Sequence, residues 1–107
     1  MNVHLRQQAQ AEAASGIRRL SDARRGDQGV VVAVSPEALP VASAVEREEL
    51  ERRLLEIGFV EGARVKILHE GFIGRDPIAV RLDDMRVALR RREAHGVLIR
   101  LDAQPEG

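Results

Sequence analysis

A chain of 107 residues, 44% hydrophobic and 32% charged, has the composition of one small globular domain and lies outside the low-hydrophobicity, high-net-charge regime of disorder. Its 17 basic residues equal its 17 acidic ones, so whole-molecule charge draws it neither to nucleic acid nor to an anionic membrane, and any charged partner must be met locally. Without cysteine there are no disulfides and no thiolate ligands; packing must hold the fold, as suits a reducing cytosol.

The opening "MNVHLRQQAQAEAASG" lacks the apolar core of a signal peptide, and no run of about 18 apolar residues exists to span a bilayer. The expectation is a cytoplasmic chain that does not insert into a membrane. Residues 1–15 read as a flexible tail or frayed helix, 16–101 as the folded domain and 102–107 as a polar tail. After the polar turn around Gly26 and Gly29, "VVVAV" reads as a strand, with Val30, Val32 and Val34 on one face and Val31 and Ala33 on the other. "PEALPVAS" carries two prolines and reads as a loop.

Ser43 and Glu46 have capping-box spacing, which starts a helix there. Leu50, Leu54 and Ile57 recur at four and three residues as its apolar stripe, with Leu55 at the margin. Glu48 with Arg52 and Glu49 with Arg53 stand at i,i+4 on its outer surface. Gly58 is placed to end the helix in a left-handed conformation, which turns Phe59 back to close the core over Leu54 and Leu55. Gly62 permits a second tight turn before Val65 and Ile67 begin a strand. Leu54, Gly58, Phe59 and Gly62 thus form a structural corner.

"EGFIGRDP" reads as a loop with Phe72 at its tip between Gly71 and Gly74. Strict alternation follows, and a two-residue turn at Asp83 and Asp84 sets Leu82 opposite Met85, Val80 opposite Val87 and Ile78 opposite Leu89. That register puts Arg81 across from Arg86, so the pair either splays into water or awaits an acidic partner. "RREAHG" reads as a turn or one helical turn, and "VLIRL" as a last strand with Val97, Ile99 and Leu101 inward. The sum is a mainly β protein: a closed or nearly closed small barrel of about five strands, with one helix inserted between the second and third.

Catalytic motifs are missing. Neither a Walker-type loop nor a strand-associated GxGxxG occurs, and the hydroxyls Ser15, Ser21, Ser35 and Ser43 sit in a tail, turns or a cap. His4, His69 and His95 have no metal-binding spacing, although His69 and His95 with Glu70 or Glu93 leave open a weak divalent-metal site assembled through space. The arginine pairs Arg18–Arg19 and Arg24–Arg25 and the triplet Arg90–Arg92 suit phosphate, but with no tyrosine or tryptophan the stacking platform of single-strand binders is lacking. Of the basic residues only Lys66 is a lysine.

In order and spacing, "RLLEIGFVEGARVKIL", "GRDPIAVRL" and "VALRRREAHGVLIRL" resemble the FeoA family of small cytosolic ferrous iron transport proteins, over roughly Ile17 to Leu101. The resemblance implies an SH3-like barrel that is no enzyme, requires no cofactor and acts as an interaction module. Its partner would be the cytosolic G-protein or membrane-proximal part of the membrane transporter FeoB, which imports ferrous iron. The family's association with transition-metal ions brings no ligand set onto residues here. Phe72, Arg75, Arg81 and Arg86 are the candidate partner contacts, and a homo-oligomer is left open. The alternatives are an SH3-like regulatory domain acting in trans with an iron-dependent repressor, or a nucleic-acid-binding small barrel.

Overall fold

The computed structural model describes residues 16–35 and 43–103. Six antiparallel strands make one sheet: β1 (Ile17–Arg19), β2 (Gln28–Val34), β3 (Arg64–Ile73), β4 (Asp76–Leu82), β5 (Met85–Leu89) and β6 (Val97–Leu101), ordered β1-β6-β2-β3-β4-β5. Helix α1 (Ala44–Ile57) lies between β2 and β3, and the single turn α2 (Arg91–Ala94) precedes β6. The expected tail over 1–15, most of the proline loop (36–42) and the chain end (104–107) fall outside the described residues.

Among the described residues there are six strands where about five were expected, the added one being β1, three residues long and too short to show a period; it pairs Ile17 with Arg100 and Arg19 with Leu98. The ladder is open, with β1 and β5 as its edges, where a closed or nearly closed barrel was expected. Register shifts between Val31 and Ala33, Ile67 and His69, and Glu70 and Ile73 bend the strands, since an unpaired residue sharpens local twist. The first shift also breaks the alternation expected of β2: Val31 is buried, Ala33 is exposed, and Val34 packs on the core beyond the bulge.

Helix α1 is placed by its ends. The Ser43 hydroxyl accepts from the Glu46 N–H at 3.1 Å, and Gly58 stops the helix at φ +126° while its N–H reaches the Leu54 and Leu55 carbonyls. Phe59 then donates its N–H to the Leu54 carbonyl at 3.0 Å and is fully buried. Leu54 is buried beneath it, and Leu50 and Ile57 pack alongside. Leu55 is 42% exposed, so Phe59 does not close over it: one residue on from Leu54 is about 100° around the helix and faces water. Arg53 pairs with Glu93 of α2, not with Glu49, tying α1 to the turn before β6.

The β4–β5 hairpin has the expected register, from Ile78 opposite Leu89 to Leu82 opposite Met85. "EGFIGRDP" is not a loop. β3 runs on through Ile73 and β4 begins at Asp76, so these residues form the outer part of a long β3–β4 hairpin.

Candidate functional site

The β3–β4 hairpin projects past the core. Ile78 is the last buried residue on its β4 arm, opposite Glu70; beyond it Ile73 pairs with Asp76 across a two-residue turn. Both turn residues have positive φ, Gly74 at +63° and Arg75 at +57°, the type I′ pattern whose twist matches the strands it joins. The arms lie so close that a Cβ on Gly71 would sit 2.1 Å from the Asp76 carbonyl oxygen, which only glycine avoids. Held on this frame, Phe72 (107% exposed) and Ile73 (87%) stand in solvent.

The outer hairpin is fastened by Arg91, which the sequence offered only within one of its phosphate-suited arginine clusters. Its backbone N–H donates to Asp76 Oδ1 at 2.9 Å, its Nε to the Arg75 carbonyl at 2.8 Å, and its Nη1 to the Ser21 carbonyl. Nη2 reaches Glu70 Oε1 at 3.2 Å, and the same carboxylate oxygen accepts from the Arg25 N–H. One half-buried guanidinium therefore joins β3, the turn, and the segment after β1. No spacing rule reveals this, because its partners are backbone carbonyls or residues distant in sequence.

Arg81 and Arg86 face each other across β4 and β5 as expected, both exposed. Register adds a third cation the sequence reading did not connect: Lys66 of β3 lies opposite Arg81, and Gln28 of β2 opposite Lys66. Gln28, Lys66, Arg81 and Arg86 thus form one row across four strands on the outer face. Among the described residues none of the three cations has an ion-pair partner, whereas Arg53, Arg64 and Arg91 each do. Arg64, two residues before Lys66, makes a two-point contact with Asp102 at 3.2 and 2.6 Å. That contact holds the Asp102 carboxyl below its usual range, chiefly through the hydrogen bond. Arg81 is five residues along β4 from Asp76, about 17 Å, so the hairpin tip and the cationic row are separate places.

His69 and His95 are not joined with Glu70 or Glu93 in one cluster. His95 Nδ1 lies 3.2 Å from Ser21 Oγ, clasping the turn after β1 to the end of α2; Glu93 is engaged with Arg53, and Glu70 with Arg91. Among the described residues no group of three His, Asp or Glu side chains is placed to hold a metal ion. Among the described residues no carboxylate orients the His95 ring, so the Ser21–His95 pair lacks the third member of a nucleophile–base–orienter relay there. Among the described residues no helix is long and apolar enough to cross a membrane.

The FeoA domain family matches residues 18–101. The "Fe(2+) transport protein A/Fe(2+) transporter FeoB fusion protein" of Porphyromonas gingivalis is 34% identical over 83 residues, 78% of this chain; the chain spans 8% of that protein's length. FeoA of Stenotrophomonas maltophilia, solved with zinc and described as an SH3 domain protein, is 34% identical, with a TM-score of 0.58 over 75% of this chain and 86% of that one. A manganese-dependent transcriptional repressor superposes with a TM-score of 0.63 over 90% of this chain and 60% of its own at 19% identity, a likeness of fold alone. The SH3-like architecture expected from the sequence therefore holds, open ladder included.

Proposed function

The chain belongs to the FeoA family, and from that premise we propose that it is a non-enzymatic cytosolic interaction module that docks on the cytosolic part of FeoB and supports ferrous iron uptake. The observation that carries this reading is the fusion: in Porphyromonas gingivalis a stretch similar to this chain shares a polypeptide with the transporter. Covalent linkage holds two units at high effective concentration, an arrangement useful to modules that work in contact. Ferrous iron is then the transporter's cargo and not a resident cofactor of this domain.

Phe72 is the anchor of the docking surface, with Arg75 beside it at the tip: an exposed aromatic on a paired hairpin offers large contact area at little side-chain entropic cost. Arg81 and Arg86 supply charge on the outer face, which governs encounter rate and orientation more than affinity. A standard interface of about 800 Å² per partner is roughly 30 Å across, wide enough to reach both places. The corner of Leu54, Gly58, Phe59 and Gly62 keeps the sheet in shape.

Pull-down with the cytosolic region of the cognate FeoB tests the reading. Wild type is retained, and Phe72→Ala and Arg81→Glu each reduce retention. Undiminished binding by both variants removes the assigned surface, and no retention of wild type removes the partner.

A further inference from the structure

The cationic row is arranged against its own stability. Like charges directly opposite on neighbouring strands repel, and Lys66, Arg81 and Arg86 occupy three such positions in succession. The chain does not lack carboxylates to relieve this, since Arg64, Arg53 and Arg91 all have one. Lys66 also stands between two shallow concavities. One is lined by Gln28, Arg64, Arg81 and Asp83, the other by Arg25, His69 and Arg86.

We infer that this row is a binding site for an extended acidic segment of a protein partner, laid across β3, β4 and β5 with its carboxylates over Lys66, Arg81 and Arg86. The inference deepens the docking reading above and rests on it for the existence of a partner, though not for the partner's chemistry. Charge complementarity selects an anion. Three cations at strand spacing span about 10 Å, the reach of two or three alternating side chains of an extended peptide. Asp83 beside Lys66 and Arg81 puts negative charge at one margin, which suits a short carboxylate strip and opposes the longer phosphate track of a nucleic acid. The chain's two aromatics are no help to a nucleic acid either: Phe59 is buried, and Phe72 stands at the hairpin tip away from the row.

The test uses the full chain and a fluorescent peptide of alternating glutamate and serine, read by anisotropy at low salt. Wild type binds it, more weakly as salt rises, because exposed charge pairs are screened. The triple variant Lys66→Gln, Arg81→Gln, Arg86→Gln binds about tenfold more weakly, as the loss of three exposed ion pairs requires. The same variant melts about 2 °C higher than wild type, because the repulsion is gone. A merely structural row would lose stability on neutralisation. Arg52→Gln, on exposed α1, leaves peptide binding unchanged.

Equal binding by wild type and the triple variant overturns the site, as does failure of wild type to bind. Equally tight binding of a single-stranded oligonucleotide overturns the assignment to an acidic protein segment. Self-association of wild type at low salt that the triple variant abolishes overturns a heterologous occupant in favour of a second copy. Peptide binding by wild type without its retention by FeoB would sink the transporter reading and leave the row standing; retention of wild type by FeoB, with no peptide binding by wild type, would do the reverse.

Discussion

The chain has two phenylalanines, each set between glycines, in "GFVEG" and "GFIG", and they meet opposite fates: Phe59 is fully buried and Phe72 fully exposed. The local composition is nearly the same, so the difference lies in what precedes each pair. Phe59 follows a capped helix whose Leu54 carbonyl takes its N–H and fixes it over the core. Phe72 lies on a strand arm that has already outrun the core, with Gly71 packed against the Asp76 backbone and a positive-φ turn beyond it. A glycine pair permits a sharp path; the element feeding it decides whether the aromatic between them becomes core or contact surface.

Phe59→Ala removes a fully buried ring and leaves a cavity, at a cost of about 3 to 5 kcal/mol, a large part of the stability of a small domain. The denaturation midpoint should fall accordingly. A loss under about 1 kcal/mol would mean the corner is not the keystone proposed.

Next in size is Arg91→Met, which keeps the aliphatic stem and removes the guanidinium that joins Arg75, Ser21 and Glu70. With that side chain only a fifth exposed, the loss is about 2 kcal/mol. Amide exchange should speed up in the outer β3–β4 hairpin more than at the corner. This sharpens the comparison, because it separates a hairpin held from below by one side chain from a corner held by packing.

These two regions also differ in how far the sequence disclosed them. Helix stripe, Gly58 and Phe59 were legible because each obeys a local rule, as was the β4–β5 register, where alternation is unbroken. The outer hairpin was not, because bulges at Ile67/His69 and Glu70/Ile73 interrupt the period and two glycines mimic a loop. Lys66 joined the row only through a register set by strands distant in sequence, and β1 was too short to carry a signal.

Phe72→Ser should change stability by no more than about 0.5 kcal/mol, since a fully exposed side chain has no native packing to lose. Retention by FeoB should nevertheless drop. Loss of both together would place Phe72 in the fold after all, and the contrast with Phe59 would collapse.

The smallest effect concerns Arg64, the first residue of β3 as it leaves the corner. Its guanidinium lowers the Asp102 carboxyl's pKa in the folded chain, so the unfolded chain takes up the proton more readily. The pair's contribution is therefore present above the ordinary aspartate value, about 3.9, and fades as pH falls through the lower folded value. Wild type and Asp102→Asn should differ slightly in denaturation midpoint at neutral pH and converge in acid. Because both groups are in open solvent, added salt should shrink the difference further. If this pair outweighed Phe59→Ala, charge and not the buried ring would be holding the start of β3, and the two glycine-flanked phenylalanines would no longer mark the difference between core and surface.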